Sequence, residues 1–592
     1  MGMARASAGR PGEPGAGEDR QRGGPLAWLA ERELPSYPPT AQRYFYLAVV
    51  IVASIVLWYQ YYVPTAVAPL LLRQFHLSFH NYVYIIVGSN VAGVVAALFG
   101  GITDRLGRTW VVIGGLLIVA LLQLVAIPNT TTTAPFVVFV VAVGLFEGII
   151  LVATPALVRD FTPQLGRASA MGFWTLGPVA GVLVASLLGS HTISATSTDW
   201  QREFIISGIT GLVVFVVALL FLRELSPRIR DQVMRTERDR ALVELHARGI
   251  DVESATRHPW RQMLKPDIIV SAVAVSVMLI IFYTASGFFT VYFSTVFHSG
   301  TTYFTLPQAN GIAVWMWAVD CVGLIVFGVL SDIVRVRKPF MVAGGVGALI
   351  FMLLLISHTG HPTSGYYTMV WVTSGVFLFT AMAYATWMAS FTETVEARNP
   401  ALVATGLAVW GGLLRLTVAV SLLILPLVVS SASKVVDNQQ YQQYVPRALA
   451  IEKQYGPLIA IVQKNPALFE KLSSYANPAD IPPALLAQAI AAAGGGKTGL
   501  DNLLAINKIK PELAFLQKYQ PYLVALQEGA NASPAEWQHW FWVSFGGIAV
   551  FIPMVLVMKG RWSPKRARED EREHEEMVEA ELERLRRAGT AS

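Results

Sequence analysis

The sequence has a single cysteine and few charged side chains. Cys321 lies inside an apolar run, which excludes a disulfide framework and a cysteine-based metal site, so we expect neither a metal nor a cofactor. Lys, Arg, Asp and Glu make up 14% of the 592 residues, whereas soluble domains carry roughly 25%. Hydrophobic residues make up 54%. This composition excludes an ordinary soluble protein and favours a membrane protein.

The apolar residues are grouped in runs of about 20 residues or more, the length that a membrane-spanning helix needs. Several runs contain Gly or Pro, which membrane helices tolerate because neighbouring helices satisfy the freed backbone groups. The runs lie near residues 45–72, 81–102, 109–127, 135–158, 168–189, 203–222, 267–296, 309–331, 339–357, 367–391, 402–430 and 538–558. We therefore predict an all-α membrane protein with about twelve transmembrane helices in two six-helix bundles.

Polar segments divide the chain around these runs. Between the last two runs, about a hundred residues show helical periodicity interrupted by prolines such as Pro457 and Pro521, which predicts a small helical insert. The predicted organisation is a disordered cytoplasmic N-terminus (1–43), an N-terminal bundle (44–222), a cytoplasmic linker (223–266), helices 7–11 (267–429), an extracytoplasmic helical insert (430–536), helix 12 (537–559) and a charged cytoplasmic tail (560–592).

Lys and Arg cluster on one side of the predicted membrane. The formal net charge is +6, but the basic residues stand at the ends of apolar runs, and no nucleic-acid-binding module accompanies them. The short loops 128–134 and 190–200 are almost free of Lys and Arg. The excess of positive charge on cytoplasmic loops then predicts that both termini are cytoplasmic and that the insert is outside. We expect a multi-pass protein of the plasma membrane.

Two similar charged signatures stand between apolar runs, about half a chain apart. The first contains Gly100, Asp104, Arg105, Gly107 and Arg108. The second contains Gly328 and Asp332, followed by Arg335, Arg337 and Lys338. This repetition indicates two related bundles in one chain. The signatures resemble the loop between helices 2 and 3 of the Major Facilitator Superfamily and its second-half copy. The resemblance covers the membrane portion of the chain but not the insert.

The resemblance implies a transporter whose two halves alternate between inward-open and outward-open states. In this family the signature loop is similar to a latch that engages an acid at the end of the fourth helix in the outward-open state. Asp160 fits that role, and Glu393 and Glu396 are its second-half counterparts. An alternative is that these charges only fix the topology. On the fifth helix, Gly177, Pro178 and Gly181 partly match the antiporter motif of drug–proton exchangers in the same superfamily.

Three ionisable residues, Glu147, Asp320 and Arg415, lie in the middle of predicted spans, where a charge costs several kcal/mol. At about 1.5 Å per residue, all three sit roughly 16 to 20 Å from the inner surface. Asp320 and Arg415 lie on helices that we expect to be neighbours, so we predict that they pair, either as a structural salt bridge or at the substrate. Glu147 has no basic residue on its span, and a low-dielectric site favours its protonated form. We predict proton coupling through Glu147 and Asp320, with a hydrogen-bonded neutral acid as the alternative for Glu147.

In the superfamily's arrangement, helices 1, 4, 7 and 10 line a central cavity. Tyrosine and tryptophan there offer an apolar face and one hydrogen-bond donor, which suits small organic ligands. The predicted substrate-binding residues are Arg415, Tyr59, Gln60, Tyr62, Asn90, Tyr283 and Trp387. An organic anion is the favoured substrate because Arg415 is the only positive charge at mid-membrane.

We therefore predict a proton-coupled secondary transporter of a small organic metabolite. We expect a monomer that contacts its substrate, protons and the lipid bilayer, with no enzyme activity and no nucleic-acid partner. Two alternatives stay open. One is an efflux antiporter of lipophilic or cationic compounds, and the other is a non-transporting receptor or assembly platform that binds a protein partner through the insert.

Overall fold

The computed structural model describes residues 32–98, 103, 106–162, 174–196, 198–230, 232, 259–299, 302–399, 402–475, 480–558 and 561–587. Most of the predicted N-terminal segment and linker therefore lies outside the described residues. Within them, the chain is helical apart from four two-residue strands. Ten helices are long and apolar enough to cross a membrane. The expected all-α membrane architecture is confirmed.

The N-terminal half contains six helices, α1 to α6. They are α1 (Thr40–Ala66), α2 (Phe79–Leu98), α3 (Arg108–Ala126), α4 (Thr133–Phe161), α5 (Gly177–Thr192) and α6 (Gln201–Phe221). The last turn of α3 is a π-helix, Leu122–Ala126, and a short helix, Ala68–Gln74, follows α1. With 16 residues, α5 is an apolar helix shorter than the spans around it.

The C-terminal half contains six further helices. They are α7 (Pro266–Val296), α8 (Leu306–Val334), α9 (Lys338–Thr359), α10 (Tyr366–Arg398), α11 (Val403–Val428) and α12 (Lys510–Met554). Two segments, Pro266–Met278 and Ile280–Val296, make up α7. A short helix, Pro259–Met263, precedes α7, and a charged helix, Pro564–Arg587, follows α12. The number of about twelve spans stays a prediction, because α5 and α12 are not among the ten long apolar helices.

Two pairs of short strands tie segments together outside the helices. Strand β1 (Glu33–Leu34) lies parallel to β2 (Glu224–Leu225), which directly follows α6. Strands β3 (His298–Ser299) and β4 (Thr302–Tyr303) form an antiparallel pair between α7 and α8. The first pair holds the segment before α1 against the segment after α6.

The insert is helical, as its periodicity predicts. Its helices are Ala432–Asn438, the 3-10 helix Gln439–Tyr444, Val445–Lys464, Pro466–Ser473, Pro483–Ala492 and Gly496–Lys508. Two expectations are wrong. Pro457 and Pro521 lie inside helices instead of ending them, and α12 begins at Lys510 instead of near 537. A proline removes one backbone donor, and in these long helices the remaining hydrogen bonds continue the helix on both sides.

Contacts between the halves involve several helix pairs. Helix α8 packs against α5, α11 packs against α2, and the second segment of α7 packs against α1. We call the helix ends nearest the insert the insert end, and the opposite ends, which carry Gly107 and Asp332, the loop end. The space between the halves is therefore bounded by helices from both bundles.

Candidate functional site

A cluster of ionisable and aromatic side chains lies between the two halves at the middle of the helices. It comprises Tyr61 and Tyr62 of α1, Glu147 of α4, Tyr283 of α7 and Arg415 of α11, and we call it the central cluster. The charge of Arg415 interacts with Glu147 and with Tyr283. Both tyrosines of α1 interact with Glu147 and with Tyr283. Four helices thus bring one acid, one base and three phenols together.

Glycines set the position of Glu147. Gly144 and Gly148 of α4 face α2, where a Cβ added at Gly148 would lie 2.5 Å from the Cα of Gly93. A Cβ added at Gly93 would in turn lie 2.8 Å from the carbonyl oxygen of Gly144. Small residues allow two membrane helices to approach to this distance. Glu147 is held at this crossing with 6% of its surface exposed, and its Oε1 has no hydrogen-bond partner in the described part of the chain.

Arg415 faces Glu147 from the other half. Its side chain is exposed, and its Nη1 donates a long hydrogen bond of 3.5 Å to the carbonyl oxygen of Gly411 on its own helix. Among the described residues, Arg415 forms no ion pair within 4.0 Å. Its guanidinium group therefore keeps most of its five donors available for a ligand.

The predicted pairing of Asp320 with Arg415 is wrong for this structure. Asp320 of α8 is buried and interacts with Tyr384 of α10 and with the adjacent Cys321. Helix α8 packs against α5 and α10, whereas α11, which carries Arg415, packs against α2. The two residues therefore lie on helices with different neighbours, and no ion pair joins them among the described residues. Arg415 interacts instead with the acid of the opposite half.

Two residues predicted to bind substrate face the interior of the N-terminal half. Gln60 Nε2 donates to the carbonyl oxygen of Ser207 on α6 at 3.4 Å, and Gln123 Nε2 of α3 donates to the Gln60 carbonyl oxygen at 2.9 Å. Tyr59 interacts with Ser207 and Glu203, also on α6. Because α1 turns by about 100° per residue, the next two residues point elsewhere. Tyr62 faces Tyr283 and Ser286 of α7 in the other half, and Tyr61 faces Glu147 of α4 and Ser89 of α2. The structure does not bring Tyr59 and Gln60 into the central cluster.

Aromatic rings extend the central cluster on both sides. On α1, Trp58 stacks on Tyr62 with ring centroids 5.6 Å apart. On the other half, Trp387 of α10 lies 5.5 Å from Trp410 of α11, and its Nε1 donates to Ser271 Oγ at 2.9 Å. Sequence reasoning missed Trp410, and its only signal was an aromatic side chain about one and a half turns from Arg415 on the same helix. The two aromatic groups supply flat apolar walls.

Asn90, another predicted substrate ligand, is half-buried on α2. Its Nδ2 donates to the carbonyl oxygen of Ile86 on its own helix at 2.9 Å. The neighbouring Ser89 Oγ donates to the carbonyl oxygen of Val140 on α4 at 3.1 Å. Polar side chains of α2 therefore bond within the N-terminal half. No group of three or more His, Cys, Asp or Glu residues in the described part of the chain is placed to hold a metal ion.

The first signature loop forms an ionic network at the loop end. Gly107 has a φ of +87°, which glycine adopts readily, and it leads into α3. Arg108 Nη1 lies 3.0 and 2.9 Å from the two carboxylate oxygens of Asp160, at the end of α4. The contact expected between this loop and Asp160 is therefore present through Arg108. Gly100, Asp104 and Arg105 lie outside the described residues.

Two residues that sequence reasoning missed complete this network. The Arg108 amide donates to Glu224 Oε2 at 3.0 Å, and Arg230 Nη2 lies 3.3 Å from the same oxygen. Arg230 Nε is also 3.7 Å from Asp160 Oδ2. Burial raises the pKa of Glu224, and the Arg108 amide and the charges of Arg230 and Arg108 act in the opposite direction. Because Glu224 belongs to β2, this network fixes the segment after α6 to the signature loop.

The second signature forms a related network around Arg337. Arg337 Nη2 lies 2.5 Å from Asp332 Oδ1, and its Nε lies 3.1 Å from Glu393 Oε1 of α10. Arg335, the residue predicted for this latch, ends α8 with a φ of +61°. An added Cβ at Gly328 would meet nothing within 4 Å, so this glycine does not mark a close helix contact. Arg337 is the basic residue that joins α8 to α10 here.

The antiporter-like motif lies where α5 crosses α1. A Cβ added at Gly177, the residue before Pro178, would lie 2.9 Å from Ser54 Oγ. A Cβ added at Gly181 would lie 2.7 Å from the carbonyl carbon of Trp58. These glycines therefore allow close packing of two helices within the N-terminal half, which is a structural role independent of transport direction.

The halves are closed against each other at the insert end. Thr290 Oγ1 of α7 donates to the carbonyl oxygen of Thr65 on α1 at 2.6 Å. Asn310 Nδ2 of α8 donates to the carbonyl oxygen of Ala66 at 2.9 Å. Gly189 of α5 packs against Asn310, since an added Cβ would lie 3.0 Å from its Cγ. These contacts seal the central cluster from the insert end.

We predict that Gly148→Ala destabilises the protein by separating α2 and α4. The added methyl group overlaps the Gly93 backbone, and overpacking of this kind costs about 1–3 kcal/mol. The matched control is Gly114→Ala on α3, where an added Cβ meets nothing within 4 Å. Both changes give the same gain in helix propensity, so the thermal midpoint of the purified protein should fall for Gly148→Ala alone. Equal midpoints would contradict the close crossing.

Comparison with known proteins identifies the architecture. Residues 50–424 match the sequence model of the Major Facilitator Superfamily. The hexuronate transporter of Escherichia coli strain K12 is 26% identical over 201 residues, which cover 33% of this chain and 45% of that protein. The chain thus spans less than half the length of this relative.

Solved structures show the same fold. A bacterial homologue of the human lysosomal transporter Spinster, in an inward-facing and occupied conformation, superposes with a TM-score of 0.53 at 16% identity, over 88% of this chain and 97% of that chain. The same homologue in an inward-facing and unoccupied conformation superposes with a TM-score of 0.53 at 17% identity, over 89% of this chain and 100% of that chain. At this identity the likeness shows the fold alone. With the matching sequence model, the ten long apolar helices and the two signature networks, this chain belongs to the Major Facilitator Superfamily of membrane transporters.

Proposed function

We propose that this protein is a secondary active transporter that moves a small organic anion by alternating access. The observation that carries this proposal is Arg415, a guanidinium group that lies between the halves without an ion-pair partner among the described residues. Arginine binds carboxylate through two parallel hydrogen bonds, which gives both energy and orientation. A carboxylate substrate would supply the negative charge that this site lacks whenever Glu147 is protonated.

The surroundings of Arg415 suit a compact ring with a carboxylate. Trp58 and Tyr62 on one half and Trp387 and Trp410 on the other offer flat apolar faces, and Tyr61 and Tyr283 add hydroxyl groups. The relative that shares 26% identity is a transporter of hexuronates, which are sugar acids with one carboxylate. This likeness supports an organic acid over a lipophilic cation.

We further propose that Glu147 carries a coupling proton. Its carboxyl group is buried at the α2–α4 crossing and faces Arg415 across the two halves. When Glu147 is ionised it attracts Arg415, and when it is protonated Arg415 is free to bind the substrate anion. Proton binding and anion binding would then favour each other at one site. Asp320, buried beside Tyr384, is the second candidate for proton coupling.

The signature networks supply the contacts that would distinguish the two states of alternating access. Arg108 and Asp160 in one half, and Arg337 and Glu393 in the other, stand at the loop end as candidate latches. With the halves closed at the insert end, access to the central cluster would come from the loop end. We propose that this end faces the cytoplasm, that both termini lie there, and that the protein functions as a monomer in the plasma membrane.

The first functional prediction concerns Arg415. Arg415→Gln should raise the KM for D-glucuronate in proteoliposomes roughly 10- to 100-fold, since a hydrogen bond to a charged group contributes about 1.5–3 kcal/mol. Arg415→Lys should recover part of the loss because it keeps the charge but not the bidentate geometry. Arg202→Gln, an exposed arginine of α6, is the matched control. Unchanged glucuronate uptake by Arg415→Gln, or dye efflux by the wild type without any organic-acid uptake, would reject the proposal.

The second functional prediction concerns Glu147. Glu147→Gln mimics the protonated acid, so the variant should fold and exchange substrate across the membrane without a gradient. It should lose accumulation driven by a pH gradient. Asp320→Asn removes the other buried acid of the same layer and should retain that accumulation. If instead Asp320→Asn abolishes accumulation and Glu147→Gln preserves it, the coupling proton belongs to Asp320.

The third functional prediction concerns orientation. In a Cys321→Ser background, Lys497→Cys should react with a membrane-impermeant thiol reagent in intact cells, because Lys497 lies in the insert, which we place outside. A cysteine at Arg566, in the charged helix after α12, should react only after the cells are opened. The reverse pattern would invert the proposed topology.

A further inference from the structure

The insert begins with a short helix, Ala432–Asn438, which we call the strap helix. The residue before it, Ser431, donates through its amide and its Oγ to Glu536 Oε2 of α12, at 2.8 and 2.6 Å. Lys434 Nζ lies 2.9 Å from Glu528 Oε2, also on α12. Helix α12 runs without a break from Lys510 to Met554. The strap helix is therefore attached to a rod that continues into the C-terminal half.

Close packing reinforces this attachment. A Cβ added at Gly529 of α12 would lie 2.8 Å from Val435 Cγ2 and 3.0 Å from Lys434 Cβ. Val435 also packs with Tyr303 of β4 and Leu526 of α12 in one buried cluster. The strap helix also packs against α7, so most of its packing is within the C-terminal half.

The other side of the strap helix contacts the N-terminal half. The amide of Phe79, at the start of α2, donates to Ser433 Oγ at 2.7 Å. Arg73 Nη2, in the short helix after α1, donates to Gln439 Oε1 at 3.3 Å, at the residue that follows the strap helix. These two hydrogen bonds join the halves directly.

An electrostatic attraction acts beside these hydrogen bonds. The carboxylate of Asp437 interacts with Arg73 and with His76, which both belong to the N-terminal half. Ala432 and Val436 are fully buried in the apolar core that also contains Phe75. The strap helix is thus a built part of the interface between the halves and not a surface appendage.

We propose that the strap helix is a latch that holds the two halves closed at the insert end. It lies at the same end as the contacts of Thr65 with Thr290 and of Ala66 with Asn310. Opening this end requires the halves to separate there. Because the strap helix is fixed more extensively to α12 than to α2, its bonds to Phe79 and Arg73 are the ones that break. The latch therefore favours the state that is open at the loop end.

The test measures how often the insert end opens, without any substrate. Ser186 of α5 is buried in a small cavity between the halves, beside Thr65 and Asn310. In a Cys321→Ser, Ser186→Cys background, the rate of maleimide labelling in lipid nanodiscs reports this opening. Ser433→Ala and Gln439→Ala each remove one bond to the N-terminal half. One hydrogen bond changes an equilibrium roughly 2- to 12-fold, so we expect the double variant to label about tenfold faster.

The matched control is Lys434→Ala, which removes a contact of the same helix with α12 in its own half. It should leave the labelling rate at the level of the background. Asp437→Asn, which keeps the size of the side chain, should accelerate labelling by removing the attraction of the carboxylate to Arg73 and His76. An unchanged rate in the double variant with a normal elution profile would overturn the latch, and so would an equal acceleration by Lys434→Ala. Neither result depends on whether the substrate is an organic acid.

Discussion

The approach of Glu147 and Arg415 from opposite halves is the interaction around which the rest of the structure is arranged. A charge in the middle of a bilayer is costly unless it faces a partner or a water-filled space. Glu147 reaches this position because Gly144 and Gly148 bring α4 against α2. Arg415 reaches it because α11 packs against α2 at the boundary between the halves. The acid and the base therefore interact but belong to different halves.

The two ends of the helices are held by different kinds of contact. At the loop end, Arg108 with Asp160 and Arg337 with Glu393 bond within each half. At the insert end, Thr290 and Asn310 donate to backbone carbonyls of α1, across the halves. Contacts within a half keep each bundle rigid, whereas contacts across the halves oppose their separation. This asymmetry explains why the structure is closed at one end.

The sequence indicated how deep a residue lies in the membrane better than it indicated the direction in which its side chain points around the helix. Glu147, Asp320 and Arg415 were placed in one layer by counting residues from the helix ends. The predicted partner of Arg415 was wrong because a shared depth does not indicate which helices are neighbours. The same limit applies to Tyr59 and Gln60, which share a helix turn with Tyr61 and Tyr62 but face α6. The pairing of Arg337 with Glu393 and the contact of Trp410 with Trp387 were not predicted, because both depend on which helices are neighbours.

The sequence by itself determined the membrane class, the helical architecture and the superfamily, because long apolar runs, sparse charge and two repeated signatures are local properties of the chain. It also determined that a helical insert interrupts the second half. Only the tertiary structure decided that α12 continues into that insert and that the strap helix reaches Phe79 and Arg73 of the other half. Hydrophobic periodicity indicates which residues are buried from water. The choice of partner depends on the shapes and distances that helices adopt once they pack against one another.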